Sequence, residues 1–301
     1  MVVRGDLFKS SKEDVHAATL AAKVFRLLIA ICAYFDLEIH QFDAVNAFTN
    51  ADIDELVHCQ NPEGFQILGK KLRLNKALYG LTKSPLLWFN DLSNTLKKYG
   101  FEQVLEAPCL LINGTLIAFF FVDDIALVYH KNAEVEAAAF KVVLMKAYEM
   151  KDLGPMKWFL KVRIERDREA RKIWICQDTY IKKMARRFQL DKKECPPTPM
   201  GTEHLIKYEG IATPHERLRY QQKVGSLTYA TTISRPDIAF ASSKLASHMQ
   251  NPSPQHELAA DRVIRYLNGT STFALEFGGI GEATVLLRYS KGPLMRHLLT
   301  M

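Results

Sequence analysis

Two adjacent carboxylates, Asp123 and Asp124, interrupt an otherwise apolar, strand-like stretch at residues 119–128. A strand that continued straight through would send these side chains to opposite faces and bury one of them. Because burial of an unpaired carboxylate is costly, the sequence predicts a hairpin with both aspartates at its tip. Paired acids on a rigid tip supply the oxygen ligands that divalent metal ions prefer. A solvated turn without chemistry is the alternative interpretation.

Two further signals surround this stretch. The dipeptide Asn113-Gly114 lies between two apolar runs and predicts a second hairpin directly upstream, because type I′ turns favour this dipeptide. A third acid, Asp43, ends a short strand pattern, and Phe48 follows five residues later. An acid at a strand end together with an acid pair on a hairpin is the arrangement of polymerase palm domains.

The chain contains an ordered series of motifs that resembles the reverse transcriptase of copia-type retrotransposons. The similarity runs from about residue 2 to about residue 277, and the series as a whole is more specific than any single motif. The matching segments are 41–48, 62–65, 77–81, 84–85 with Trp88, 121–124, 150–154, 225–227, 235–239 and 265–267.

This resemblance implies an α+β fold, with the palm and fingers of a right-hand polymerase built from an antiparallel sheet and packed helices. A small helical thumb-like or connection-like region would follow. The expected division is 1–195 for the fingers and palm core with a primer-grip-like hairpin and a basic helix, 196–269 for the helical region, and 270–301 for a tail without a ribonuclease H domain. The chain would then be a polyprotein fragment, truncated at both ends, from an element whose polyprotein also serves DNA integration.

The implied activity is RNA-directed DNA synthesis, in which a primer 3′-hydroxyl attacks the α-phosphate of a deoxynucleoside triphosphate (dNTP). Two Mg²⁺ ions, with Mn²⁺ as an alternative, would stabilise the attacking and leaving oxygens. The resemblance assigns the bridging positions to Asp43 and Asp123, and a more peripheral position to Asp124. The implied partners are an RNA or DNA template with its primer, and the dNTP.

The resemblance also assigns contacts to the nucleotide and to the nucleic acid. Ala44 and Phe48 are expected at the nucleotide, with the Phe48 ring beneath the sugar, and Arg4 could approach the triphosphate. A core aromatic and an exposed surface arginine are the alternative interpretations of Phe48 and Arg4. The residues expected to contact template and primer are Lys83, Ser84, Pro85, Lys161, Lys182, Lys183, Arg186 and Arg187.

Some of these assignments stay open. Lys161 stands where the family usually has glycine, so it either perturbs the primer grip or contacts a phosphate. The four basic residues at 182–187 form either a contact to the nucleic-acid backbone or an ordinary solvated helix face. Local patterns predict helices over about 14–33, 84–99, 132–148, 178–190, 214–232, 236–248 and 254–268, with Ser84, Asn132 and Asp178 as caps.

Composition is compatible with these assignments but does not select them. The formal net charge of +7 suits a polyanionic partner. Five cysteines without a CxxC pair argue against a zinc module and suit a reducing compartment. With no membrane-length apolar run and no signal peptide, the expected location is intracellular, in a cytoplasmic particle or the nucleus. The sequence does not specify an oligomeric state. The rival functions are a catalytically inactive relic that binds nucleic acid and an unrelated metal-dependent phosphotransferase.

Overall fold

The computed structural model describes residues 3, 15–61, 64–66, 69–202 and 204–278. Within these residues the fold is α+β, with eight α-helices and antiparallel sheets. The described residues form two compact units: one contains Phe35–Met156 with the residues before Phe25, and the other contains Phe25–Tyr34 with the residues from Lys157 to Gly278. Arg4 and the first two residues of the 62–65 motif, Pro62 and Glu63, lie outside the described residues, as does the tail after Gly278.

The first elements in chain order belong to the first unit, except for the first helix, most of which belongs to the second unit. They are α1 (Ala22–Tyr34), β1 (Glu38–Ala44), α2 (Ala47–Asn50), β2 (His58–Cys59), β3 (Leu72–Arg73), α3 (Ser84–Lys98), β4 (Glu102–Val104), β5 (Ala107–Asn113), β6 (Leu116–Phe121), β7 (Asp124–Tyr129), α4 (Glu134–Ala147) and β8 (Met150–Pro155). The remaining elements belong to the second unit. They are β9 (Trp158–Phe159), β10 (Val162–Asp167), β11 (Lys172–Cys176), α5 (Asp178–Arg187), α6 (Pro214–Ile233), α7 (Ala239–Ala246), α8 (Pro254–Gly269) and β12 (Leu275–Gly278).

The first unit contains a six-stranded antiparallel sheet with the strand order β4-β5-β6-β7-β1-β8. Strands β5, β6 and β7 are rich in buried apolar side chains, as their continuous apolar sequences predict. Helix α4 buries Ala137, Phe140 and Leu144, which share one face at helical spacing. Strands β1 and β7 lie inside this sheet and have hydrogen-bonded neighbours on both sides, so their ends are well fixed.

The second unit combines a four-stranded sheet, in the order β12-β11-β10-β9, with helices α5 to α8. One apolar core joins α5 to the three later helices, with Ile181, Tyr220 and Val263 fully buried in it. Helices α6 and α8 both begin with a capping box, formed by Thr213 with Glu216 and by Ser253 with His256. Packing therefore groups α5 with the later helices, and the functional division at residue 195 stays a prediction.

Arg235, at the start of the 235–239 motif, has a structural role in this unit. It is 1% exposed, and its guanidinium donates to the Asp237 carboxylate at 2.7 and 2.9 Å and to Thr270. A buried charge that is paired in this way ties the beginning of one helix to the end of another. These contacts give the 235–239 motif a structural role, although the Arg235 side chain makes no helix-capping hydrogen bond.

Several predicted helix boundaries were wrong. Helix α1 begins at Ala22 rather than near residue 14, and the preceding described segment is irregular. Ser84 does not cap α3, because its hydroxyl donates to the Leu78 carbonyl at 2.6 Å. The His130 side chain, not that of Asn132, accepts the capping hydrogen bond before α4. Asp178 lies inside the first turn of α5, after Gln177 at the N-cap. The helices predicted over 214–232 and 254–268 are confirmed to within one residue.

No helix in the described part of the chain is long and apolar enough to cross a membrane.

Candidate functional site

Strand pairing brings the three predicted aspartates to one end of the six-stranded sheet. Asp43, near the end of β1, is the cross-strand partner of Asp124, the first residue of β7. Asp123 lies in the loop between β6 and β7, next to Asp124. The predicted hairpin is therefore confirmed, with one aspartate in its loop and the other at the start of the returning strand.

The β5–β6 and β6–β7 hairpins each have a two-residue loop whose first residue has a positive φ. The β6–β7 loop is Val122-Asp123, and φ of Val122 is 55°. In the upstream hairpin the loop is Gly114-Thr115, because Asn113 pairs with Leu116. The turn predicted at Asn113-Gly114 was thus displaced by one residue. Gly114 has a φ of 47°, and glycine adopts a positive φ at a lower conformational energy than other residues.

Electrostatic repulsion and burial act together on the hairpin aspartates. Burial, then the charges of Asp43 and Asp124, raises the pKa of Asp123, although a hydrogen bond from Tyr79 opposes the shift. Burial also raises the pKa of Asp124, with the amide of Gln41 acting against it and the charge of Asp43 adding to it. Like charges held this close favour protonation unless a cation compensates them.

Three neighbours of the aspartates were not predicted as site residues. The Gln41 amide donates to Asp124 Oδ1 at 3.0 Å, and the Tyr79 hydroxyl lies 3.5 Å from Asp123 Oδ2. The Lys151 ammonium is 3.9 Å from Asp43 Oδ2. Strand alternation could have indicated Gln41, because it lies two residues before Asp43 on the same strand face. Tyr79 and Lys151 come from distant parts of the chain, and no local pattern pairs them with an aspartate.

The chemistry of this site suits a divalent cation. Asp123 Oδ1 is buried and has no hydrogen-bond partner among the described residues, so one carboxylate oxygen is unsatisfied. Carboxylate oxygens are ligands that Mg²⁺ and Mn²⁺ prefer. As they stand, no three His, Cys, Asp or Glu side chains of the described residues converge as a ready-made metal site. The aspartates therefore fit a cation by donor type and charge.

The predicted nucleotide-binding residues lie beside the aspartates. The backbone N–H of Ala44 donates to the Asp123 carbonyl at 2.9 Å and so supports the hairpin, while a contact of Ala44 with a nucleotide stays a prediction. Phe48 lies in α2, is 9% exposed, and packs its ring against Tyr79 with 4.5 Å between centroids. Arg4 lies outside the described residues. Phe48 is thus joined through Tyr79 to Asp123, while its contact with a sugar stays a prediction.

The predicted template contacts at the start of α3 are largely engaged within the protein. The Lys83 ammonium is bound by both oxygens of Asp54, at 2.6 and 2.7 Å, and Lys83 is 6% exposed. Ser84 is fully buried and donates to Leu78, and Pro85 lies in the first turn with partial exposure. A template contact by these residues stays a prediction, and the Asp54 pair already neutralises the charge of Lys83.

The second unit holds the other predicted template–primer residues. Leu160 and Lys161 form the loop between β9 and β10, with φ values of 51° and 63°. Tyr229 donates its hydroxyl hydrogen to the Leu160 carbonyl at 2.8 Å and so supports this loop. Helix α5 carries four exposed basic residues, which we call the basic quartet: Lys182, Lys183, Arg186 and Arg187. No ion pair with a carboxylate is found for this quartet in the part of the chain that the structure describes.

An acid pair at an antiparallel hairpin, beside an acid on the neighbouring strand, is the arrangement that we expect of a nucleotidyl-transfer domain. A family model described as reverse transcriptase (RNA-dependent DNA polymerase) matches residues 3–202. This chain belongs to the reverse transcriptase family, in the region found in copia-type retrotransposon polyproteins. Members of the family generally use divalent metal ions.

Curated relatives agree with this assignment. A retrovirus-related Pol polyprotein from a TNT 1-94 transposon of Nicotiana tabacum is 31% identical over 93% of this chain and 22% of its own length. A putative Ty5-1 transposon protein of Saccharomyces cerevisiae is 31% identical over 78% of both chains. A Pol polyprotein from transposon RE2 of Arabidopsis thaliana is 28% identical over 85% of this chain and 18% of its own. The chain thus spans about a fifth of the length of the plant polyproteins that it matches.

Proposed function

We propose that this chain catalyses RNA-directed DNA synthesis, in which a primer 3′-hydroxyl attacks the α-phosphate of a dNTP and pyrophosphate leaves. The observation that carries the proposal is the pairing of Asp43 with Asp124 across adjacent strands, beside Asp123 in the hairpin loop. A cluster of carboxylates at the end of a rigid sheet, with one oxygen unsatisfied, is costly in a protein that has no use for a cation.

Asp43, Asp123 and Asp124 would hold two divalent ions, Mg²⁺ or Mn²⁺. When bound, such ions stabilise the attacking and leaving oxygens of the transferred phosphoryl group. Gln41 and Tyr79 orient the side chains of Asp124 and Asp123 through hydrogen bonds. These contacts restrict carboxylate rotation before substrate binds, and such preorganisation is the main contribution of a protein to phosphoryl-transfer catalysis.

The same proposal covers the arrangement of the chain. Residues 1–195 would supply the palm and part of the fingers with the primer-grip-like hairpin, and residues 196–269 a helical thumb-like or connection-like region. The basic quartet would contact the backbone of a template–primer duplex, because cations without carboxylate partners can release counterions from phosphates. Function inside a cytoplasmic particle or the nucleus would follow from the relationship to transposon polyproteins.

Primer extension with Mg²⁺ on an RNA template tests the proposal. We expect Asp43→Asn and Asp123→Asn each to abolish extension, because each removes a charge that the metal ions require. Asp52→Asn is the matched control, since Asp52 is an exposed acid of the same unit that pairs with Lys76. Extension by either site variant at a rate near that of the unsubstituted protein would remove these aspartates from the reaction.

The same variants have an expected effect on stability without metal. Because the pKa of Asp123 is raised in the folded state, its contribution favours folding below the ordinary aspartate pKa of about 3.9 and is lost as pH rises through the raised value. At neutral pH the ionised carboxylate therefore destabilises the metal-free fold. Asp123→Asn should unfold at a temperature equal to or higher than the unsubstituted protein at pH 7, and a clear decrease would contradict this electrostatic account.

A second candidate function is nucleic-acid binding without catalysis, and the exposed basic quartet favours it as much as it favours the polymerase. Binding of a primer–template duplex without extension, under conditions in which the aspartate variants bind equally well, would select this alternative.

A further inference from the structure

The hairpin loop that carries Asp123 contains an unfavourable residue at its first position. Val122 has φ of 55°, and a β-branched side chain rarely adopts this left-handed conformation. Hairpin loops with a positive φ at the first residue favour glycine there. The preceding hairpin, between β5 and β6, has glycine at this position, Gly114. The same sheet therefore contains one hairpin loop with the favoured residue and one with valine in its place.

A buried tryptophan holds this strained residue. The indole N–H of Trp88, on α3, donates to the Val122 carbonyl at 2.8 Å, and Trp88 is 1% exposed. The indole is itself fixed by an edge-on contact with the Tyr148 ring, 5.1 Å between centroids. The Tyr148 hydroxyl is hydrogen-bonded to Asp91 and Thr95, both on α3.

The carbonyl of the second loop residue is held by the end of β1. The carbonyl of Asp123 accepts from the backbone N–H of Ala44 at 2.9 Å. Both peptide groups that follow the loop residues are therefore anchored, one by α3 and one by the end of β1. The peptide between Val122 and Asp123 sets the direction in which the Asp123 side chain leaves the backbone, so its orientation depends on the indole hydrogen bond.

We propose that Trp88 is a positioning residue for Asp123: its indole N–H holds Val122 in the left-handed conformation and thereby fixes the direction of the Asp123 carboxylate. The inference rests on the proposed function for its catalytic consequence, but not for its structural one. The simpler view is that the hydrogen bond only satisfies a buried indole N–H, as buried tryptophans generally require.

The test replaces the donor while keeping an aromatic ring. Trp88→Phe should lower kcat for primer extension by about tenfold or more, because a misplacement of about 1 Å can cost about 10²-fold. The KM for dNTP should change little, since Asp123 is argued to act on the reaction rather than on base recognition. Trp174→Phe is the matched control, because it removes an indole hydrogen bond to Glu276 in the second unit.

A second substitution separates positioning from general packing. In the Val122→Gly background the loop conformation carries little strain, so Trp88→Phe should there lower kcat by no more than about threefold. Equal losses in the two backgrounds would overturn the proposal, because they would show that the indole acts independently of the Val122 conformation. An unchanged kcat for Trp88→Phe in the otherwise unsubstituted protein would overturn the proposal as well.

Hydrogen exchange gives a readout that needs no activity. Trp88→Phe should speed amide exchange in residues 121–124 severalfold, while residues 113–116 of the preceding hairpin keep their rate. Unchanged exchange at 121–124 would overturn the positioning role even if the protein extends no primer, so failure of the proposed function and failure of this inference are distinguishable. If Trp88→Phe does not fold, benzothienylalanine at position 88 keeps the bicyclic shape, lacks the N–H and allows the same comparisons.

Discussion

Substitution of Lys161 offers a direct test of the loop between β9 and β10. Leu160 and Lys161 have φ values of 51° and 63°, the pattern of a type I′ turn, in which asparagine and glycine are favoured. A non-glycine residue in this conformation costs about 1–2 kcal/mol. Glycine removes this cost but loses about 0.5–1 kcal/mol through the greater freedom of the unfolded chain. We therefore expect Lys161→Gly to stabilise the protein by about 0.5–1 kcal/mol.

Lys161→Gly should weaken the binding of a primer–template duplex, although it stabilises the protein. Lys161 is exposed, and its ammonium has no carboxylate partner in the part of the chain that the structure describes. If this charge contacts a phosphate, its removal lowers the slope of log affinity against log salt by about 0.7–0.9. We expect Lys161→Gly and Lys161→Ala to show this lower slope equally, and Lys161→Arg to keep the original slope.

The three variants separate backbone strain from charge. Chemical unfolding measures stability, and fluorescence titration of a labelled primer–template duplex at several salt concentrations measures binding. Only Lys161→Gly should gain stability, since alanine and arginine keep the strained conformation. Unfolding of the glycine and alanine variants at the same denaturant concentration would refute the backbone-strain explanation. The phosphate contact is refuted if removal of the charge leaves the salt slope unchanged.

Two further substitutions test other predicted contacts. Phe48→Ala should lower stability by about 3–5 kcal/mol and, if the ring is the group that excludes a 2′-hydroxyl, should also lower the ratio of dNTP to ribonucleotide incorporation. Phe101→Ala, which truncates another buried aromatic of the same unit, should lower stability alone, and an unchanged ratio for both would return Phe48 to the core. Alanine at all four positions of the basic quartet should reduce the salt slope of primer–template binding by about 3. The exposed pair Lys97 and Lys98 on α3 is the control, and an equal slope for both sets would assign the quartet to solvated surface.

The sequence by itself determined the features that depend on short-range chemistry. The adjacent acids Asp123 and Asp124 required a chain reversal, because a continuous strand would have buried one of them unpaired. The extents of α6 and α8 were predicted to within one residue, because the apolar spacing and the flanking proline that mark these helices are local features of the sequence. The ordered motif series also determined the family before any contact was known.

The tertiary structure decided which groups within the chain the predicted site residues contact. Lys83 looked like a free cation, but Asp54, which is distant in sequence, neutralises it, and Ser84 donates to Leu78 instead of capping its helix. The loop registers could not be read from the turn dipeptides, because strand pairing across the whole sheet sets them. Most of all, the strained conformation of Val122 exists only because β6, β7 and Trp88 jointly hold it. Local propensity opposes that conformation, so no sequence pattern could have predicted it.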